Sequence, residues 1–590
     1  MKKIVLVSIA GVIIVGLFLY FTVMKRSADF IITNATVYTV DEHNSVQQAI
    51  AVRGNKIVGV GTTQDIQNQF TSQKTIDARG MTVIPGMIDS HGHVLGLGES
   101  LTELDLVGTT SEQQIAEMVK ARAEHAKNGE WIRGRGWDQN DWGSGTGAKP
   151  FPTNAALDRV APNNPVILER IDGHAVWVNS KAMEIAGIKT DEKTVVDGGR
   201  IVRGADGLPT GIFIDNADNI IYSSVPEYTR EEKKGMILKA LRYCLACGLT
   251  SVGDMGINEE NFEIYKELDQ EGMLPVRIYA LVGGTGRFWE RMKKEGPYIN
   301  QGDGMLTLRS IKLYMDGALG SRGAALLEPY SDDPDNSGLL VSDPDTIERV
   351  TEEALQHGFQ VCTHAIGDKA NRFVLDAYER AEHAYPQQAQ DARLRIEHAQ
   401  VISPEDIPRF KQLNVIPSMQ PTHATSDMYW AEARLGADRI RGAYAWRSLL
   451  DDGNIIPGGS DFPVELPNPL DGFYAAVTRQ DKAGIPQSAD DVRKGFQLSS
   501  DGIRDTNDFN GGWYVHQRMS RDEALHSFTA WGAYAQFAEN QIGSIETGKR
   551  ADIVILSINI MKVEPKDILT TAIEMTIVDG KIQYQKSSGN

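Results

Sequence analysis

The feature that most constrains this chain is an apolar strand that runs into two histidines, in the stretch Ile84-Pro-Gly-Met-Ile-Asp-Ser-His-Gly-His93. Alternate side chains of a strand point to the same face, so His91 and His93 are expected to project together. Two imidazoles at the end of a buried strand can hold half of a metal coordination shell. Solvated histidines also occur in pairs, so the metal interpretation depends on further ligands at the ends of later strands.

Short apolar strands alternate with helical patterns along most of the chain, which is typical of a parallel α/β arrangement. Eight strands are predicted, the number that closes a TIM-type (β/α)8 barrel. A long gap of about 99–246 predicts an insertion after strand one. The eight predicted strands are Thr82–Ile88, Leu249–Asp254, Val276–Leu281, Leu306–Met315, Phe359–Thr363, Leu394–Glu397, Val415–Ser418 and Ile455–Gly459.

Outside the first 27 residues, both ends of the sequence are rich in short strands separated by turns. Examples are Ala49–Arg53 near the start and Gly543–Leu556 near the end. Two β-rich tails around one central body predict a small β-sandwich assembled from both termini. The expected boundaries are therefore 28–84 for the first part of the sandwich, 85–535 for the catalytic barrel, and 536–590 for the second part.

Composition excludes several classes of protein. The 590 residues carry 60 Lys plus Arg against 79 Asp plus Glu, a net charge of −19, which disfavours binding to nucleic acid. Three cysteines form no disulfide framework. Cys244 and Cys247 lie at the end of a predicted helix closed by Gly248, where a buried pair is favoured over a redox or metal site.

The amino-terminal segment has the composition of a membrane anchor. Lys2-Lys3 precedes the uncharged run Ile4–Met24, and Lys25-Arg26 follows it. As a helix this run is about 30 Å long, enough to cross a bilayer. We expect residues 1–27 to form an uncleaved signal anchor, with the catalytic domain on the periplasmic or extracellular side. A cleaved signal and a secreted form stay open.

Further candidate ligands follow the later strands, where barrel enzymes keep their chemistry. Lys312 lies within strand four, His364 ends strand five, His398 ends strand six and Asp461 follows strand eight. Each has a simpler explanation when taken alone, such as a core histidine or a helix N-cap. Their joint occurrence at strand ends, together with His91 and His93, favours a metal site.

These motifs resemble those of the amidohydrolase superfamily, and within it the family 3 branch of YtcJ-like and N-substituted formamide deformylase-like proteins. The resemblance covers nearly the whole chain from about Asp29. The motifs that carry it are Pro85-Gly-Met-Ile-Asp-Ser-His-Gly-His93, the Lys-x-x-x-Asp-Gly of Lys312 to Gly317, His364-Ala-Ile-Gly-Asp368, Ile396-Glu-His398 and Gly459-Ser-Asp461.

The resemblance implies a binuclear centre with two divalent ions, for which zinc is favoured. His91 and His93 would hold the more buried ion with Asp461, and His364 and His398 would hold the more exposed one. Lys312, carboxylated by carbon dioxide to a carbamate, would bridge the two. A desolvated lysine has a lowered pKa, which leaves the neutral amine that carbon dioxide needs.

The resemblance also implies an activity, the hydrolysis of non-peptide carbon–nitrogen bonds in a small amide-type substrate, N-formyl compounds included. A metal-bridging hydroxide would attack the carbonyl, and Asp461 would act as general base and then as general acid. His174 resembles the family's substrate-side histidine, with a structural loop histidine as the alternative. Trp137 and Asp138 are candidate pocket residues, or part of a packed lid.

Two other functions stay open at this point. The first is a mononuclear, deaminase-like enzyme of the same superfamily, in which Lys312 remains an ordinary amine. The second is a non-enzymatic binding protein on the same scaffold, although the complete set of candidate ligands argues against it. The sequence names neither the substrate nor the native metal, and it leaves a homodimer open.

Overall fold

The computed structural model describes residues 25–139, 142, 150–170, 175–188, 199–215, 217–299, 304–500 and 502–587. The strands in this part of the chain are β1 (Arg26–Thr33), β2 (Thr36–Tyr38), β3 (Val46–Gln47), β4 (Ala49–Arg53), β5 (Lys56–Gly61), β6 (Phe70–Asp77), β7 (Thr82–Pro85), β8 (Met87–Gly92), β9 (Leu104–Asp105), β10 (Ile132–Trp137), β11 (Val166–Arg170), β12 (Ala175–Val178), β13 (Gly199–Arg203), β14 (Pro209–Asp215), β15 (Leu249–Ile257), β16 (Arg277–Gly283), β17 (Tyr298–Ile299), β18 (Leu306–Tyr314), β19 (Gln360–Ala365), β20 (Arg395–His398), β21 (Ile416–Ser418), β22 (Ile553–Leu556), β23 (Ile573–Val578) and β24 (Lys581–Gln585).

The α-helices of the described residues alternate with these strands along most of the chain. They are Thr63–Gln69, Val94–Ser100, Glu112–Ala123, Asn154–Val160, Ser180–Ile185, Asn219–Tyr222, Arg230–Ala246, Glu259–Gln270, Arg287–Glu295, Pro344–His357, Asp368–Ala384, Pro386–Ala389, Ile407–Gln412, Pro421–Asp427, Ala431–Arg439, Trp446–Asp451, Pro469–Thr478, Ala489–Gly495, Arg521–Ser527, Ala530–Ala535 and Pro565–Ile568.

The barrel is built from seven parallel strands, which pair in the order β8, β15, β16, β18, β19, β20 and β21. Strands such as β8 are buried along their whole length, as expected when parallel strands are covered on both faces. The predicted TIM-type α/β fold is thereby confirmed.

The eighth predicted strand, Ile455–Gly459, is not a continuous strand. The segment instead makes one isolated parallel bridge, Met419 with Gly458, and a second isolated bridge, Gly92 with Phe462, lies three residues beyond it. Pro457 has no backbone N–H to donate to a ladder, and Asp461 turns into the left-handed region at φ 59°. The barrel therefore closes through single bridges at this point.

The first predicted strand, Thr82–Ile88, is divided at Gly86 into β7 and β8. A Cβ at Gly86 would lie 2.1 Å from the Thr250 hydroxyl oxygen, so only glycine permits this close approach. Strand β7 pairs antiparallel with β22 in a terminal sheet, while β8 enters the barrel. The apolar run is continuous in sequence but contributes one strand to each of two sheets.

Two sheets outside the barrel use strands from both ends of the chain. One has the order β5-β4-β1-β6, and the other has the order β24-β23-β22-β7-β2-β3. Ile32 and Val52 of the first sheet share a buried core with Ile553 and Ile577 of the second. This arrangement is the β-sandwich expected from the two β-rich termini.

The insertion after strand β8 forms a compact unit of its own, Val94–Ala240. Its sheet has the order β13-β14-β12-β11-β10-β9. Its core contains Trp137, Leu157 and Trp177, all fully buried. The remainder of the chain, with the barrel and the terminal sheets, forms the other unit.

The prediction of a membrane anchor is wrong, and so are the predictions of a membrane partner and of a location on a membrane that depended on it. Among the residues that the structure describes, no helix is both long and apolar enough to span a bilayer. Arg26 and Ser27, assigned to the anchor by sequence, instead belong to β1 and pair with β6. The run Ile4–Met24, on which the expectation rested, lies outside the described residues.

Candidate metal centre

The first histidine pair lies where strand β8 ends. His91 is buried, and its ring is 5.8 Å from that of His93, centroid to centroid. Both rings reach one carboxylate: Oδ1 of Asp461 is 3.5 Å from Nε2 of His91 and 3.2 Å from Nε2 of His93. The alternation of the strand therefore points both imidazoles to the same place.

Asp461 reaches this pair because the eighth barrel segment runs against β8. Its backbone N–H donates to the carbonyl of His91 at 2.7 Å. Two residues earlier, a Cβ at Gly459 would lie 2.8 Å from the His91 backbone nitrogen. Glycine is thus required for the segment to approach closely enough to place Asp461.

Lys312 extends from β18 into the same cavity. Its Nζ is 3.3 Å from Nε2 of His91, and only 1% of the residue is exposed. Burial lowers the pKa of Lys312 from its ordinary value, against the opposing charges of Glu397 and Asp461. Burial thus favours the neutral amine.

His364 and His398 come from the adjacent strands β19 and β20. Their ring centroids are 4.6 Å apart, and that of His398 is 4.7 Å from His91. Nδ1 of His398 lies 2.7 Å from Oε1 of Gln420, which leaves Nε2 for another partner. Nε2 of His364 is buried, lies 3.6 Å from Oδ1 of Asp316 and has no hydrogen-bond partner among the described residues.

A further histidine, His423, was not identified from the sequence. Its ring stacks on that of His398, with centroids 6.1 Å apart and planes 10° apart. His398, His423 and Asp461 offer ligand atoms within 4.8 Å of one another, as do His91, His93 and Asp461. The available signal was its position just after β21, in Gln420-Pro-Thr-His423, where barrel loops carry functional residues.

A buried carboxylate, that of Glu397, contacts the ring nitrogen of His91 that points away from the cavity. Oε2 of Glu397 is 2.6 Å from Nδ1 of His91, and the Arg395 guanidinium donates to the same oxygen at 3.0 Å. Burial would raise the pKa of Glu397, but Arg395 and His91 hold it well below its usual range. A carboxylate behind a histidine ligand fixes the ring and its tautomer.

The protonation states suit metal ligation. Burial lowers the pKa of His91 to about 4 and that of His364 to about 3. Burial likewise lowers the pKa of His398. For Asp461, burial acts in the opposite direction, but the neighbouring histidines lower its pKa overall. Neutral imidazoles and an ionised carboxylate are the forms that bind a metal.

The donor set fits divalent cations. Imidazole nitrogens and a carboxylate oxygen are the ligands used by zinc and related ions. A buried nitrogen without a hydrogen bond, such as Nε2 of His364, is costly unless it bonds to a further group. The six predicted ligand residues, which line a single cavity of about 400 Å³, are His91, His93, Lys312, His364, His398 and Asp461.

The three other predicted site residues lie in the insertion. Trp137 is fully buried in the core of that unit, and its indole N–H donates to the Leu168 carbonyl at 2.8 Å. Asp138 pairs with Arg170 at 2.5 Å. These positions favour packing roles, and substrate contact by either residue stays a prediction. His174 lies outside the described residues, so its role also stays a prediction.

Comparisons with known proteins agree with this picture. A family model described as "Amidohydrolase family" matches residues 74–584. The putative amidohydrolase YtcJ of Bacillus subtilis is 32% identical over 564 residues, covering 93% of this chain and 98% of that protein. N-substituted formamide deformylase of Arthrobacter pascens is 27% identical over 587 residues, covering 96% and 100%. The solved structure of an uncharacterized metal-dependent hydrolase from Pyrococcus horikoshii OT3 superposes with a TM-score of 0.72 at 28% identity, covering 91% and 99%.

Proposed function

This chain belongs to the amidohydrolase family, and from that premise we propose that it hydrolyses the carbon–nitrogen bond of a small non-peptide amide. N-substituted formamides are the first candidates, since a relative over the full length is named as a deformylase of such compounds. In this reaction water adds its oxygen to the acyl carbon, the carbon–nitrogen bond breaks, and the nitrogen leaves with a proton.

One observation carries the proposal. Asp461 belongs to both groups of potential ligand atoms, one with His91 and His93 and the other with His398 and His423. A single carboxylate between two groups of imidazoles fits a centre for two ions. His91, His93 and Asp461 would hold one ion and His364 and His398 the other. His423 is a further donor beside His398.

Two divalent cations, when bound, supply Lewis acidity that lowers the pKa of water and polarises a carbonyl. The neutral Nζ of Lys312 can attack the carbon of carbon dioxide and release one proton, which gives an anionic carbamate. Such an anion next to His91 would offset part of the charge of two cations.

Asp461 is the group that would move the proton. Its carboxylate lies at the histidine pair and is held ionised, so it can accept a proton from the attacking water. The same carboxyl group would then donate that proton to the leaving nitrogen. His174, if it faces the substrate, would bond to the carbonyl oxygen.

A mononuclear, deaminase-like enzyme is the second candidate function. The observation that favours it is that His91, His93 and Asp461 already form a three-ligand set, the number of protein ligands typical of a catalytic zinc site. In that case Lys312 would remain an amine.

The deciding measurement is the metal content of the chain, purified without chelator and determined by elemental analysis. A value near two supports the binuclear hydrolase, and a value near one supports the mononuclear enzyme. No metal even after reconstitution would favour a binding protein on this scaffold. The loaded protein would then be tested on N-substituted formamides, simple amides and peptides, with release of formate or amine as the readout.

A further inference from the structure

The cavity of the metal centre has a second side that the proposed chemistry does not use. We define the outer wall as Asp427, Trp430 and Glu465, all of which line the same cavity of about 400 Å³. Asp427 ends the helix after β21, Trp430 follows it, and Glu465 lies in the loop after the eighth barrel segment. A cavity of this size is in the range that encloses most of a small ligand.

Asp427 is held in one orientation by two donors. The Tyr444 hydroxyl donates to Oδ2 at 2.6 Å, and the Gln400 amide donates to the same oxygen at 3.1 Å. Among the described residues no group donates to Oδ1, so this oxygen remains available as an acceptor.

Tyr444 is itself fixed at both ends of its backbone. Its N–H donates to the Gln400 carbonyl at 2.7 Å, and its carbonyl accepts from the Arg479 guanidinium at 3.1 Å. Arg479 is fully buried. Asp427 is therefore pre-organised by a buried frame, and pre-organised groups bind a ligand with less ordering cost.

The charges on this side of the cavity are negative. Lys312 is the only lysine or arginine among the described residues that line it, and burial lowers its pKa. Burial raises the pKa of Asp427 to about 6, against the lowering effects of His423 and of the hydrogen bond from Tyr444. Glu465 is anchored by the Ser426 hydroxyl at 2.7 Å.

Trp430 adds an aromatic surface beside these carboxylates. A Cβ at Gly320 would lie 3.2 Å from its six-membered ring, so the ring is packed closely at that edge. The Arg434 guanidinium lies 5.6 Å from the ring centroid and is paired with Asp332. An indole face next to carboxylates is a favourable environment for an organic cation.

We propose that the outer wall selects substrates that carry a positively charged group, such as a protonated amine or an amidinium, at the end remote from the scissile amide. The ammonium or amidinium N–H donates to Oδ1 of Asp427, with Glu465 and Trp430 beside it. This inference rests on the proposed hydrolase function, which places the scissile bond at the metal centre.

Three formamides of equal chain length test the proposal: the monoformyl derivative of a diaminoalkane, and the formyl derivatives of the matching amino alcohol and amino acid. We expect kcat/KM for the cationic compound to exceed that for the neutral one by about tenfold, the value of a charge-assisted hydrogen bond, and the anionic compound to be the poorest. Equal kcat/KM for the cationic and neutral compounds would overturn the proposal.

Asp427→Asn keeps an acceptor for Tyr444 but removes the charge. The ratio of cationic to neutral kcat/KM should fall towards one in this variant. A loss of the same factor for all three compounds would reveal a structural role only and overturn the proposal. Glu465→Gln repeats the measurement if Asp427→Asn does not fold. The control is Asp490→Asn, which removes a charge from an exposed ion pair with Arg493 and should leave the ratio unchanged.

Binding separates this proposal from the hydrolase function. The free diaminoalkane and the amino alcohol would be titrated into the metal-loaded protein by calorimetry. Tighter binding of the diamine to the wild type than to Asp427→Asn supports the outer wall even if no formamide is hydrolysed, in which case the proposed function fails alone. Equal binding of the diamine to both proteins would overturn the proposed role of the outer wall and leave the hydrolase proposal untouched.

Discussion

The carboxylate of Glu397 lies 2.6 Å from Nδ1 of His91, although 306 positions separate the two residues in the chain. Because an ionised carboxylate only accepts, Nδ1 carries the proton and Nε2 offers its lone pair to the cavity. Arg395 donates to the same oxygen of Glu397. The orientation of a candidate metal ligand is thus set by a residue on the sixth barrel strand.

Replacing Glu397 should weaken metal binding without removing a ligand. Glu397→Gln leaves a neutral amide opposite Nδ1 and unbalances the buried Arg395 charge. We expect metal affinity to fall by about 10–100-fold, as for other supporting carboxylates. The measurement is competition with a chelator, with Glu539→Gln, which faces Arg393, as the control. Unchanged affinity in Glu397→Gln would rule out this supporting role.

Lys312→Ala should lower the metal content of the purified chain, since it removes the group that would form the bridging carbamate. Short-chain carboxylates added during reconstitution should restore part of that content by replacing the anion. Elemental analysis with and without added carboxylate tests this, and Lys411→Ala, at an exposed lysine, is the matched control. No restoration would count against the carbamate.

Asp461→Asn should abolish turnover while the chain still folds. Asn tolerates the left-handed backbone at φ 59°, so the change removes the charge and the proton-accepting capacity without adding strain there. We expect kcat/KM to fall by a factor of about 100 or more. Circular dichroism would verify the fold, and activity close to that of the wild type would exclude the general-base role.

Removal of the metal should lower both activity and thermal stability. Ions that bind the folded state alone stabilise it by mass action, and their loss leaves the buried Nε2 of His364 without a hydrogen-bond partner among the described residues. Melting temperature would be followed before chelation, after it and after the return of zinc. A melting temperature indifferent to chelation would argue that the cavity holds no structural or catalytic ion.

Arg277 provides a test of how the terminal sheets are joined to the barrel. From β16 it donates to Asp552 at 2.6 Å and to Asp579 at 2.9 Å, and it is buried. Arg277→Met would leave the buried Asp552 without this cation and Asp579 with Arg550 alone, and it should lower the free energy of unfolding by about 3–5 kcal/mol. Arg291→Met, at a more exposed set of ion pairs, should cost about 1 kcal/mol or less. Urea denaturation measures both.

The same cluster predicts a pH dependence of stability. Burial would raise the pKa of Asp579, but bonds from Arg277 and Arg550 lower it below its usual value. A lowered carboxyl pKa stabilises the fold above the unfolded value of about 3.9, and this contribution is lost as the pH falls below it. Denaturation midpoints between neutral and acidic pH should therefore show a smaller acid-induced loss in Arg277→Met than in the wild type. An identical loss in both would contradict this assignment.

Much of the fold could be predicted because barrel strands are short apolar runs that can be recognised locally. The prediction failed where a run was shared or interrupted. Gly86 divides one apolar stretch between two sheets, and Pro457 leaves the eighth segment with isolated bridges in place of a ladder. The membrane anchor was inferred from hydropathy alone, and the described residues contain no helix that could span a bilayer.

The six predicted ligand residues converge in the structure because the carboxyl ends of barrel strands meet at one end of the barrel. His423 and the outer wall could not be inferred in the same way. They lie in loops and short helices after the strands. There, no regular repeat relates the position of a residue in the sequence to the direction in which its side chain points. Trp137 shows the reverse case, since an aromatic residue in a motif-like stretch is buried in the core of the insertion.

The sequence by itself determined most of the apolar runs that form the barrel strands and that His91 and His93 share one face, because a strand can be recognised locally and its side chains alternate with a period of two. Only the tertiary structure decided that Glu397 supports His91, that Asp461 belongs to two ligand groups, and that Asp427 faces the same cavity. These relationships join residues tens to hundreds of positions apart. They depend on how the barrel closes and on which side chains its loops turn inward, and local patterns of hydrophobicity do not encode either.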